Sequence, residues 1–132
     1  MRVAVTGGRS LNDRDLVFST LDGLHSIKPI TMLITGGCPP TKIGDRWFVS
    51  ADSHAEEWAG YREVDNMIRR AKWSTLGKPA GPRRNERMMR DRPELLVAFP
   101  GGSGTADTVR RANKHGIEVR RVQQGKKKNA RS

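Results

Sequence analysis

The sequence predicts a single α/β domain, an open parallel sheet of about five strands with helices on both faces. Two observations carry this. Short apolar runs alternate with stretches of helical spacing, and three of those runs end in glycine-rich turns. The length of 132 residues suits one hydrophobic core. A composition of 35% hydrophobic and 30% charged residues is polar, yet rich enough in apolar side chains to exclude a wholly disordered chain.

Residues 2–6 (Arg-Val-Ala-Val-Thr) read as a strand that ends at Gly7-Gly8. A helix follows, with Asn12 as its cap and Asp13 and Asp15 at its positive end. Val17, Leu21 and Leu24 share one face, and Pro29 forbids continuation. Residues 30–35 form a second strand, ended by Gly36-Gly37. Pattern is lost from Cys38 to Ser50, where Pro39-Pro40, Gly44 and Trp47-Phe48 indicate a surface loop, with residues 39–50 inserted. Ser53-x-x-Glu56 is a capping box that opens a helix through Trp58 and Ala59 to about Tyr61. Residues 64–71 fit either helix or strand, and a third strand is the expectation. Gly77 to Pro82 is turn-rich, and a helix from Arg83 to Asp91 stops before Pro93. Residues 94–99, apolar throughout their centre, read as a buried parallel strand. Pro100 to Thr105 turns the chain into a helix that runs to about His115. Gly116 closes it, and residues 117–122 make the last strand. The domain thus spans 1–122, and 123–132 is a basic, flexible tail.

Lys and Arg number 25 against 14 Asp and Glu, a net charge of +11. Residues 120–132 hold Arg120, Arg121, Lys126, Lys127, Lys128 and Arg131 without an acid. Arg83, Arg84, Arg87, Arg90 and Arg92 make the body basic as well. Anionic partners are favoured. No apolar run approaches the ~20 residues of a bilayer span, and Gly7-Gly8-Arg9 interrupts the first one too early for a secretory signal, so the expectation is a cytoplasmic protein with no membrane partner. Cys38 is the only cysteine. It excludes an intrachain disulfide or a thiolate metal cluster, as suits a reducing compartment.

In an open parallel sheet, ligands bind beyond the carboxyl ends of the strands. Gly7-Gly8-Arg9, Gly36-Gly37 and the loop Gly101-Gly102-Ser103-Gly104-Thr105 all lie there. The last is the most specific: it presents backbone amides at a helix N-terminus, which favours a phosphate, and Ser103 and Thr105 add hydroxyl donors. The other reading is a tight turn and cap. Gly-x-x-x-x-Gly-Lys-Ser/Thr is absent, and Thr35-Gly36-Gly37 stands where a dinucleotide fold needs an acid for the ribose. His25, His54 and His115 show no metal-ligand spacing and read as surface or helix-end histidines, so no metal and no cofactor are expected.

Together, Thr6-Gly7-Gly8-Arg9, Thr35-Gly36-Gly37, Ala51-Asp52, Gly81-Pro82-Arg83-Arg84-Asn85-Glu86-Arg87-Met88 and Phe99-Pro100-Gly101-Gly102-Ser103-Gly104-Thr105-Ala106-Asp107 resemble the SLOG superfamily. Within it the resemblance is to a small family of Rossmann-like domains, over about residues 1–122. Two relatives are implied, the lonely-guy phosphoribohydrolases, formerly called lysine decarboxylases, and the single-stranded-DNA-binding fold of DNA-processing protein A. The lonely-guy pattern joins Arg-Lys-x-x-Met to Pro-Gly-Gly-x-Gly-Thr-x-x-Glu. Arg84 to Met88 and Pro100 to Thr105 match most of it. The catalytic glutamate's place is taken by Thr108, and the nearest carboxylate is Asp107, about 100° around the helix. The DNA-processing pattern is echoed by Gly8-Arg9, by Gly36-Gly37 with Asp52, and by Arg84-Asn85. The resemblance also implies a homodimer.

Two functions stay open. In the first, the protein cleaves a nucleoside 5′-monophosphate into base and ribose 5-phosphate. Phosphate sits on Gly101 to Thr105, Arg84 grips it by a forked hydrogen-bond pair, and Asp107 supports positive charge at the sugar. In the second it binds a nucleotide-derived signal, or single-stranded nucleic acid with the tail as a basic arm. Bland alternatives accompany each residue. Arg84 can be a surface arginine, Asp107 a helix-dipole acid, and Arg9 a partner of Asp13 or Asp15. Asp52 can serve local structure alone. Trp47 and Phe48 either stack on a base or bury the insertion. Trp58, Met67, Met88 and Met89 read as core or subunit contacts.

Overall fold

The computed structural model describes residues 1–124. The basic-tail expectation for Lys126 to Arg131 lies outside them. Strand β1 (Arg2–Thr6) is central, flanked in parallel by β2 (Met32–Thr35) and β6 (Leu95–Ala98). Outside these lie β5 (Asp65–Ile68) and β7 (Glu118–Arg121), so the sheet order is β5-β2-β1-β6-β7, all parallel. Chain progression therefore reverses direction between β1 and β6, the crevice where ligands of open α/β sheets bind.

Period-two alternation sorts the side chains. Val3 and Val5 face one layer with Leu33, Leu95 and Val97. There they meet Val17, Leu21 and Leu24 of α1 (Arg14–Ile27) and Ala55, Trp58 and Ala59 of α2 (Ala51–Arg62). Ala4, Ile34 and Leu96 face the other, against Met88 and Met89 of α4 (Ala80–Arg90) and Val109 and Ala112 of α5 (Ser103–Lys114). Trp58, Met88 and Met89 are thus core residues. No described helix is long and apolar enough to cross a membrane.

Several expectations are corrected. Asp13, not Asn12, caps α1 by accepting from the Leu16 amide at 3.1 Å, and Asn12 takes a left-handed φ of 50°. The stretch 39–50 is not formless. Strands β3 (Thr41–Ile43) and β4 (Arg46–Phe48) pair antiparallel about a two-residue Gly44-Asp45 turn, with Gly44 at φ 64°. Helix α2 starts earlier than its capping box implies. Ser50 Oγ accepts from the Ser53 amide at 3.0 Å, while Glu56 reaches sideways to the Thr35 hydroxyl at 2.6 Å. Helix α4 begins at Ala80 because Pro82 sits in its first turn, where no intrahelical amide is needed. A four-residue helix, α3 (Trp73–Leu76), precedes it. His54, expected at the surface or at a helix end, lies near the start of α2 but is buried, with neither ring nitrogen hydrogen-bonded among the described residues.

Candidate functional site

Three glycine turns from β1, β2 and β6 converge above the switch point on a cleft of about 1220 Å³. The Gly8 amide donates to the Pro100 carbonyl at 2.8 Å, which ties the first turn to the last. Gly7, Gly8, Arg9, Gly36 and Gly37 line the cleft, as do Gly102, Ser103, Gly104 and Thr105. Gly101 does not. It lies behind the rim against the Gly7-Gly8 backbone. No side chain caps the start of α5, and among the described residues no acceptor takes the amides of Ser103, Gly104 or Thr105. Such uncommitted donors at a positive helix end suit an anion.

Across from this turn, Arg84 and Asn85 project from α4. The Arg84 Nη1 donates to the Gly36 carbonyl at 2.7 Å and its Nε to Asn85 Oδ1 at 2.8 Å. A β-carbon on residue 36 would lie 2.8 Å from the Arg84 Cζ, so only glycine there lets the guanidinium cross the end of β2. The Arg84 Nη2 makes no hydrogen bond among the described residues and can donate into the cleft. Asn85, buried, donates through Nδ2 to Asp107 Oδ2 at 3.0 Å and approaches the Gly104 carbonyl at 3.5 Å. One amide side chain thus joins Arg84, Asp107 and the glycine turn.

Asp107 lines the cleft, whereas Thr108 is buried with its hydroxyl on the Gly104 carbonyl at 3.0 Å. The rotation that separates the two positions on the helix is what turns the carboxylate toward the opening. Burial pushes the Asp107 carboxyl up, but hydrogen bonds from Arg111 and Asn85 and the charges of Arg111 and Arg110 outweigh it and hold the group below its usual range. It stays ionised. Asp52 behaves oppositely. Burial lifts its carboxyl to about 6, against the Cys38 and Gly36 amides and the Arg84 charge. Located in the first turn of α2, it forms part of the cleft floor and accepts from the Cys38 amide at 3.1 Å. Arg9 is exposed at the rim and makes no ion pair with Asp13 or Asp15.

Trp47 is 61% exposed on β4, and neither it nor Phe48 lines the cleft. Among the lining residues that sequence reasoning missed are Arg70, whose Nη1 donates to the Gly37 carbonyl at 3.2 Å, Arg110, paired with Asp107, and Trp73. None carries a motif. Arg70 and Trp73 flank a stretch without periodicity, and Arg110 lies one turn beyond the glycine loop.

The model of the YspA, cpYpsA-related SLOG family matches residues 1–75. The chain is 36% identical over 126 residues to the Gene 61 protein of Mycobacterium phage D29, covering 89% of this chain and 93% of that protein. No solved structure matches it. With more than half of its residues matched by that model, the chain belongs to the YspA, cpYpsA-related SLOG family.

Proposed function

We propose that the cleft binds a nucleoside 5′-monophosphate and hydrolyses its N-glycosidic bond. The observation that carries this reading is the Asn85 bridge, which sets the Arg84 cation and the Asp107 anion side by side next to uncommitted helix amides. The phosphate rests on the amides of Ser103 to Thr105 with Arg84, and Arg9 closes from the rim. Asp107, kept ionised, stabilises the oxocarbenium character that develops as the bond from C1′ to the base breaks. Water adds its oxygen to C1′, one of its protons goes to the departing base while the other stays on the new C1′ hydroxyl, and the products are free base and ribose 5-phosphate. SLOG membership supports a nucleotide-related role of this kind.

The test is chromatographic detection of free base from a panel of nucleoside monophosphates. The wild-type protein is expected to release base. Arg84→Ala and Asp107→Asn are expected to lower kcat/KM by about a hundredfold or more, the scale on which one preorganised charged group acts. Unchanged turnover in both variants overturns the assignment.

A second reading, binding without chemistry, is favoured by a groove of about 750 Å³ that shares Arg70 and Arg84 with the cleft and continues past Lys72, Arg83 and Arg87. A single-stranded nucleic acid could follow it with successive phosphates.

A further inference from the structure

Trp73 is 49% exposed, and α3, the short helix that carries it, buries none of its residues. It is therefore not a core tryptophan, yet it is not loose on the surface either. Its benzenoid edge rests on α4 at Gly81, where a β-carbon would lie 2.9 Å from Cη2 and 3.5 Å from Cζ2. Glycine at this buried position lets the indole lie directly on the helix backbone. The side chain so anchored forms part of the cleft wall.

Gly81 and Asn85 are four residues apart, so they share a face of α4 and are separated by about 6 Å along its axis. Asn85 reaches the Gly104 carbonyl of the uncapped α5 turn. The aromatic surface and the anion seat therefore line one cleft and are linked through one face of α4. An exposed indole there is large, rigid and apolar, and every nucleobase has a face to lay on it.

We propose that Trp73 is the platform on which the base stacks, which makes the preferred ligand class nucleobase-bearing phosphates rather than sugar phosphates. This rests on the nucleotide reading above. Stacking on an indole is tolerant of base identity, so the platform selects for the presence of a base, and size or hydrogen bonding elsewhere selects among bases.

Calorimetric titration with adenosine 5′-monophosphate, cytidine 5′-monophosphate, ribose 5-phosphate and inorganic phosphate tests it, on the wild-type chain, Trp73→Ala and Trp73→Phe, with Tm measured for each. Trp73→Ala is expected to weaken both nucleotides about ten- to a hundredfold while leaving ribose 5-phosphate and phosphate unchanged, and Trp73→Phe to recover most of the loss. Gly81→Ala, which keeps the indole but displaces it, is expected to mimic Trp73→Ala in part. Nucleotide affinity unchanged in Trp73→Ala overturns the platform and leaves the nucleotide reading standing. An equal loss for all four compounds assigns Trp73 a structural role and likewise overturns the platform. A wild-type chain that binds none of the four overturns the nucleotide reading, and the platform with it.

Discussion

Asp52 is a buried carboxylate whose neighbours compensate only in part for lost water. With its folded-state value raised to about 6 from an ordinary 3.8, the native state holds a proton that the unfolded chain has released between those values, so stability falls as pH rises from about 4 through 6. Asp52→Asn removes the charge and keeps a carbonyl oxygen for the Cys38 amide. It is expected to stabilise the fold by about 1–3 kcal/mol at pH 7.5, with the gain disappearing near pH 4. Urea unfolding at the two pH values measures this, and an equal effect at both would show that the charge is not the cause. The sequence offers Asp52 as a candidate, but its burial is not legible there. Arg84, Asn85 and the glycines stood out because a motif fixes their spacing. Whether Asp107 or position 108 faces the cleft depends on how α5 is rotated against the sheet, and Trp73 becomes visible only when Gly81 is seen beneath it.

Helices α1 and α2 are clamped by Asp22, alongside the ion pair of Arg14 with Glu57. Asp22 accepts from the Trp58 indole Nε1 at 2.8 Å and from Arg62 through two bonds of 2.8 Å, and these hydrogen bonds, the Arg62 pair foremost, hold its carboxyl at about 2. Asp22→Ala strands the N–H of a fully buried tryptophan and is expected to cost about 1–3 kcal/mol. The ionic part of the wild-type contribution is present above pH 4 and is lost as pH falls toward 2, so the gap between the two proteins should narrow in acid without closing, which thermal melts from pH 7 to 2 would show. Elements with strong periodicity or an unbroken apolar run, α1 and β6 among them, were legible. The hairpin β3–β4 was not, although Gly44-Asp45 is a recognised hairpin pair, because its strands are three residues long and face water on most positions. The start of α2 differs from the expectation because two serines three residues apart, Ser50 and Ser53, both offer a cap, and it is the Ser50 Oγ that accepts a helix amide, that of Ser53, while both hydroxyls donate to the Cys38 carbonyl.

At the scale of the molecule, the layout of alternating strands and helices was legible because each βα unit repeats one physical pattern, whereas the sheet order β5-β2-β1-β6-β7 was not. What charge adds is a test of the second reading. Deleting residues 123–132 removes Lys126, Lys127, Lys128 and Arg131. If these act as an arm, the slope of log affinity against log salt for a single-stranded oligonucleotide should become shallower by about 3, while mononucleotide affinity stays constant. Filter binding across a salt series reads the slope, and an unchanged slope removes the tail from any such role. The central position of β1 has a further consequence. It precedes the other strands of this domain in the chain, yet one of its two partners is the last strand but one: Arg2 donates to Glu94, 92 residues onward. The anion seat joins the same distant segments, so during synthesis the nascent chain must keep an apolar strand waiting on one side, and no ligand can act as a folding template until almost the whole domain has been translated.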